Sequence, residues 1–148
     1  MITNKYAYFD YKIEEEFEAG IALISDEVKS VRSNRVNLKG SYAKIFFNDK
    51  NNPEVYLVGC HFNTKIVDPY RTRKLLLKKS EIGRLVGKMN EKGLTLLPLK
   101  MYFKKGLVKI LLGLGRGKKK YDKREILRKR DAMQKIQFTL KQKTISKN

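Results

Sequence analysis

The residues with the clearest chemical potential are cations set beside aromatics. Lys118, Lys119 and Lys120 run into Tyr121-Asp122-Lys123-Arg124, and upstream Arg71, Arg73, Lys74 and Lys78 fall within one short segment. Lysine and arginine displace the counterions of a phosphate backbone while an aromatic ring stacks on an unpaired base, so the pairing suits single-stranded or folded RNA. A lysine run taken alone reads equally well as solvated surface. Total charge tips the balance: 34 Lys/Arg against 15 Asp/Glu leave +19, which implies a polyanionic partner. Residues 1–67 hold nine of each sign, so the whole excess lies in residues 68–148. The second half is the part that meets the partner.

Catalytic chemistry finds no comparable constellation. Glu14-Glu15-Glu16 falls on an expected strand, where neighbours face opposite sides and do not converge as paired carboxylates must. His61 is the single histidine, so a nucleophile, base and orienter cannot be assembled around it, and with the single Cys60 it cannot complete a zinc site. Gly113, Gly115 and Gly117 match neither a dinucleotide fingerprint nor a P-loop. We therefore expect no enzyme and no cofactor. One cysteine excludes an internal disulfide. With no apolar signal core at the N-terminus and no bilayer-length apolar run, the expectation is a cytoplasmic protein with no membrane partner.

The elements that position these residues are mostly strands. Residues 5–13 and 15–23 alternate through Ala7, Phe9, Tyr11, Ile13 and Phe17, Ala19, Ile21, Leu23, and each predicts a half-buried strand. Ser25 caps a short helix with Asp26 and Glu27 in its first turn. Residues 38–47 and 54–62 read as hairpin partners around the turn at 48–53. Asp68-Pro69 predicts a helix start, which would make Arg71, Lys74 and Lys78 one basic ridge. Ser80 would cap another helix, with Ile82, Leu85, Val86 and Met89 as its apolar stripe and Gly93 at its end. Strands at 94–103 and 107–114 complete the body, with Pro98 marking an edge or bulge.

The fold class expected is mainly β with small α: an antiparallel, oligonucleotide-binding-type barrel of about six strands and about three short helices over residues 1–114. Gly113, Gly115 and Gly117 would make a flexible exit into a basic tail, residues 115–148. That tail holds 13 basic and three acidic residues and little apolar surface, so it is expected disordered when free. Ile126, Met133, Ile136 and Leu140 recur at helical intervals and predict a helix when a partner covers them.

Several long motifs, in order, resemble one family over nearly the whole chain. They are Ile13-Glu14-Glu15-Glu16-Phe17-Glu18-Ala19-Gly20, Glu27-Val28-Lys29-Ser30-Val31-Arg32, Ser41-Tyr42, Asp68-Pro69-Tyr70-Arg71-Thr72-Arg73-Lys74-Leu75-Leu76-Leu77, Lys92-Gly93-Leu94-Thr95 and Gly117-Lys118-Lys119-Lys120-Tyr121-Asp122-Lys123-Arg124. The family is small protein B, the bacterial SsrA-binding proteins. The resemblance implies a six-stranded oligonucleotide-binding barrel with three helices, and a tail that folds on the ribosome. It implies binding to the tRNA-like domain of transfer-messenger RNA, ribosome rescue by trans-translation, and entry into stalled ribosomes with elongation factor Tu. Alanyl-tRNA synthetase would be met only through the RNA, and the protein would be a monomer. The tail would occupy the empty mRNA path beside 16S ribosomal RNA at the decoding centre.

The resemblance assigns RNA contact to Glu18, Leu76 and Lys78. Beside it stand the plainer readings of Glu18 as a solvated carboxylate and Leu76 as a core residue. In a basic site a carboxylate can accept hydrogen bonds from base edges. Arg71, Arg73, Lys74, Lys118 and Lys119 are expected on phosphates, and Tyr121, Asp122, Lys123, Arg124, Arg128 and Arg130 near the decoding centre. Lys78 stands where the family usually has Asn or His, so a phosphate contact is expected there. Ser25-Asp26 replaces a glycine-containing turn, and the loop from Cys60 to Asp68 is short for the family. The other function class consistent with these residues is a structural binder of ribosomal RNA or a general RNA chaperone.

Overall fold

A period of two in the apolar residues builds most of the molecule. The computed structural model describes residues 1–91, 93–118, 124 and 127–130. In chain order the elements are β1 (Ile2–Thr3), α1 (Lys5–Asp10), β2 (Tyr11–Ile21), α2 (Ser25–Arg32), β3 (Val36–Asn37), β4 (Tyr42–Phe47), β5 (Pro53–Val58), β6 (His61–Phe62), β7 (Arg73–Leu76), α3 (Lys79–Met89), β8 (Leu94–Lys104) and β9 (Leu107–Gly117). Seven strands form one antiparallel sheet in the order β1-β8-β9-β2-β7-β5-β4, and β3 pairs with β6 beside it. Edge strand β4 touches β8 near the opposite edge, so the sheet curls back on itself. The main sheet thus has one strand more than expected.

Inside the curl lie Val55, Leu57, Phe62, Leu96, Met101, Ile110 and Leu112, each fully enclosed, with Leu85 of α3 closing one side. Ala7, Leu97 and Leu99 make a smaller core under α1. The stripe expected on α3 is present: Leu85 is buried, with Ile82 and Met89 packed against the core.

Three expectations are corrected. Residues 5–10 are a helical turn, because Asn4 caps it: its side-chain oxygen accepts from Ala7 N while its amide donates to Leu38 O and Pro98 O. Local capping outweighs alternation there. Asp68-Pro69 opens no helix. Asp68 Oδ1 accepts from Tyr70 N and its carbonyl accepts from Arg71 N, which makes a turn feeding β7. The basic ridge imagined on a helix is therefore split between that turn, a strand and the residue before α3. Lastly, Gly113 and Gly115 lie within β9 rather than in a flexible exit. A Cβ on Gly113 would fall 2.7 Å from Leu99 Cδ1, and one on Gly115 would fall 3.0 Å from Lys12 O, so these glycines serve close packing. The body accordingly runs to Gly117, and the chain divides there into Met1–Gly117 and Lys118–Asn148.

Candidate nucleic-acid interface

Alternation decides which residues of β2, β7, β8 and β9 face outward. On β2, Phe17, Ala19 and Ile21 are buried, which leaves Glu16, Glu18 and Gly20 on the outer face. On β7, Arg73 and Leu75 point in while Lys74 and Leu76 point out. The register then aligns Leu76 with Gly20, Gly20 with Lys109, and Lys109 with Tyr102, one row across four strands. Gly20 is what lets the row close up. A Cβ there would sit 3.3 Å from Leu76 Cβ.

The result is a groove of about 500 Å³ lined by Glu18, Gly20, Leu76, Leu77, Lys78, Glu81 and Lys109. Residues separated by some sixty positions in sequence meet there, among them Glu18, Leu76 and Lys78. Leu76 is 53% exposed and so is not a core residue. Lys78 occupies the N-cap of α3, its backbone N–H donating to Glu81 Oε1 at 3.1 Å, so the expected cap Ser80 instead lies inside the helix. Glu18 accepts from the Tyr102 hydroxyl at 2.6 Å and from Lys104 Nζ at 3.1 Å. These hydrogen bonds, Tyr102 first and Lys104 second, hold its carboxyl below the usual carboxylate range. Burial, reinforced by Glu18, pushes the Tyr102 phenol up to about 12. At neutral pH the groove therefore offers an anionic acceptor, neutral phenol and leucine contacts, and lysines at its rim.

The other expected residues divide sharply. Lys74 is exposed and its Nζ lies 3.7 Å from Glu54, so it can reach a phosphate. Arg71 is part-exposed, and its guanidinium donates to Glu27 Oε1 at 2.5 Å. Arg73 is 0% exposed, which excludes the phosphate contact expected of it. Its Nε donates to Glu27, its Nη1 to Cys60 O at 2.9 Å and its Nη2 to Pro69 O at 3.1 Å, with the Phe62 ring 3.8 Å away. Arg73 is a strut tying α2, β6 and the 60–69 loop together. Burial pushes the Glu27 carboxyl up, but hydrogen bonds from Arg71, the Ile24 amide and Arg73 outweigh it and leave the carboxyl below its ordinary range. Cys60 is buried, and that burial pushes its thiol up to about 12. His61 stands on β6 edge-on to Tyr70, with ring centroids 5.1 Å apart.

Among the tail residues, Lys118 is part-exposed, and Arg124, Arg128 and Arg130 are exposed in helical backbone. Lys119, Tyr121, Asp122 and Lys123 lie outside the described residues. The three adjacent glutamates do not converge: Glu14 pairs with Arg116 at 2.9 Å and Glu15 with Arg84 at 2.8 Å. Tyr102, Lys104 and Lys109 were not singled out from the sequence. Alternation along 94–103 and 107–114 marks Tyr102 and Lys109 as outward, but only the strand order β8-β9-β2 brings them to Glu18.

A family model described as "SmpB protein" matches residues 1–142. The SsrA-binding protein of Halalkalibacterium halodurans is 49% identical over 146 residues, covering 95% of this chain and 92% of that protein. The SsrA-binding protein of Listeria welshimeri is 50% identical over 146 residues with the same coverage. A chain from a solved structure described as "tmRNA-SmpB: a journey to the center of the bacterial ribosome" superposes with a TM-score of 0.66. It is 45% identical and covers 86% of this chain and 94% of its own.

Proposed function

The chain belongs to the SmpB protein family, and from that premise we propose that it is the RNA-binding partner of transfer-messenger RNA in trans-translation. It holds the tRNA-like domain of that RNA and brings it to stalled bacterial ribosomes, so that the blocked nascent chain is tagged and the ribosome released. It acts by binding, with the bond-making left to the ribosome and to the synthetase that charges the RNA. The observation that carries this reading is the groove itself, where Glu18, Leu76 and Lys78 converge.

In this reading Leu76 gives apolar contact to a ribose or base, and Glu18 exchanges its Tyr102 and Lys104 partners for the amino edge of an unpaired base. Lys74, Lys78 and Lys109 neutralise the flanking phosphates. Lys118, Lys119 and the segment from Tyr121 to Arg130 serve the ribosomal mRNA path, and the body serves the tRNA-like domain.

The test is to purify the tagged full chain at moderate salt from a bacterium carrying its cognate RNAs, and to sequence what stays bound. We expect strong enrichment of transfer-messenger RNA. Ribosomal RNA alone would overturn the proposal and favour a structural or chaperone role. The double variant Glu18→Ala with Leu76→Ala should lose about tenfold or more in affinity for the tRNA-like domain, as expected when a base contact is removed. Its melting temperature should stay close to that of the wild type, because both side chains are exposed.

A further inference from the structure

The outer face carries a second arrangement like the one around Glu18. Glu54 on β5 accepts from the Tyr56 hydroxyl at 2.5 Å and from Asn48 Nδ2 at 3.1 Å, with Lys74 Nζ 3.7 Å away. Glu18 has the same company of a tyrosine hydroxyl and a lysine ammonium, in Tyr102 and Lys104. The register aligns Lys44 of β4, Tyr56 of β5 and Lys74 of β7 in one row, directly beside the row that begins at Leu76. The two rows lie on one continuous surface because Lys74 and Leu76 are both outward residues of the same strand.

This second row has a stacking floor. Phe46 is 42% exposed and Phe47 56% exposed, Phe46 meets Tyr56 edge-on at 5.6 Å, and Lys44 Nζ lies 5.2 Å from the Phe46 ring. With Asn48, Glu54, Tyr56 and Thr72 the two phenylalanines line a shallow groove of about 360 Å³. The turn beyond them is well fixed. Asn48 Oδ1 accepts from the amides of Lys50 and Asn52, each at 3.0 Å, and Asn48 N donates to Asn52 O at 2.9 Å. Two large apolar rings therefore stay in water on a rigid hairpin, beside two lysines and one carboxylate. Rings serve any base because every base has a π face, and the lysines match the phosphates on either side of it.

We propose that this hairpin face is a second nucleotide-binding site, which holds an unpaired base of the same RNA that lies in the Glu18 groove. The base stacks on Phe46, with Phe47 bordering the groove at the strand's end, its polar edge meets Glu54, and its phosphates meet Lys44 and Lys74. The inference rests on the RNA reading of the Glu18 groove, and it extends that strand of RNA across β7 onto β5 and β4.

The experiment compares the full chain with two double variants, Phe46→Ala with Phe47→Ala and Glu18→Ala with Leu76→Ala. Affinity for the isolated tRNA-like domain is measured by fluorescence anisotropy, and ultraviolet crosslinks to that RNA are mapped by mass spectrometry. We expect the phenylalanine variant to bind about tenfold more weakly, the loss typical of one stacked base, and the wild type to crosslink at Phe46 or Phe47. Conservative Phe46→Tyr with Phe47→Tyr should bind like the wild type. That result would separate lost stacking from a disturbed hairpin. If the phenylalanine variant binds like the wild type while the Glu18 variant is weakened, the second site is wrong and the first stands. If neither loses affinity, the RNA reading of the outer face fails as a whole. Crosslinks from this hairpin to a protein and none to RNA would also overturn the proposal.

Discussion

Arg73 and Leu76 stand three positions apart on β7, yet one is sealed and the other is half in water. The difference follows from strand parity, and it separates a residue of the interior from one of the outer face. Arg73 neutralises Glu27 inside the body, so Arg73→Ala leaves that carboxylate enclosed beside Arg71 alone. Loss of one partner of a buried pair costs about 3–5 kcal/mol. We expect a melting temperature lowered by many degrees, while folded protein at low temperature keeps its RNA affinity. A phosphate-binding arginine would show the reverse. Glu27 also sets an acid limit. Its folded-state pKa lies below that of the unfolded chain, so its stabilisation is present above the unfolded value of about 4.3 and is lost as pH falls through the folded value. Thermal melts from pH 7 down to about 3 should therefore fall steeply for the wild type in that acid window. Glu27→Gln should start lower at pH 7 and respond less to acid.

At the scale of elements, β8 and β9 are a long hairpin, and at Gly113 it leaves no room for a Cβ, which would fall 2.7 Å from Leu99 Cδ1. Gly113→Ala should destabilise by about 1–3 kcal/mol through overpacking against Leu99. Trimming the opposing side chain in Gly113→Ala with Leu99→Val should recover part of it, as denaturant titration of the three variants can show. The sequence read as a loop exit here because alternating glycines have the same appearance in a linker and in a tightly paired strand. Residues 5–10 carry an equally double pattern. Their apolar pattern fits a period of two, and the deciding contact is Asn4 reaching Leu38 and Pro98, far along the chain. The Asp-Pro pair likewise announces a turn and a helix in the same letters, and the burial of Leu75 within the sheet selects the turn. Where a local pattern and the fold agreed, as in the 42–58 hairpin and the apolar stripe of α3, the sequence sufficed; the two strands expected over 5–13 and 15–23 are instead one, β2, with a bulge between Ile13 and Glu15.

For the molecule as a whole, the charge asymmetry was legible from composition, and family motifs pointed to Glu18, Leu76 and Lys78 as functional. What composition could not supply was the strand order that draws Tyr102 and Lys109 to the same groove. Body and tail should be separable in function. Removing residues 121–148 should leave affinity for the tRNA-like domain within a few-fold and abolish rescue in a reconstituted translation assay. A collapse of affinity by orders of magnitude would make the tail the principal RNA anchor. The slope of log affinity against log salt should fall by about one for each phosphate-contacting lysine removed, so Lys74→Ala should reduce it and the truncation should leave it nearly unchanged.

The short strand β7 has a further consequence for how this chain can vary. Its four residues carry two messages in alternate letters, Arg73 and Leu75 addressed to the interior, Lys74 and Leu76 to the outside. A single inserted or deleted residue between Thr72 and Lys78 would exchange the two sets, turning the strut toward water and the exposed Leu76 toward the core. Length in this stretch is therefore under stricter control than letter identity.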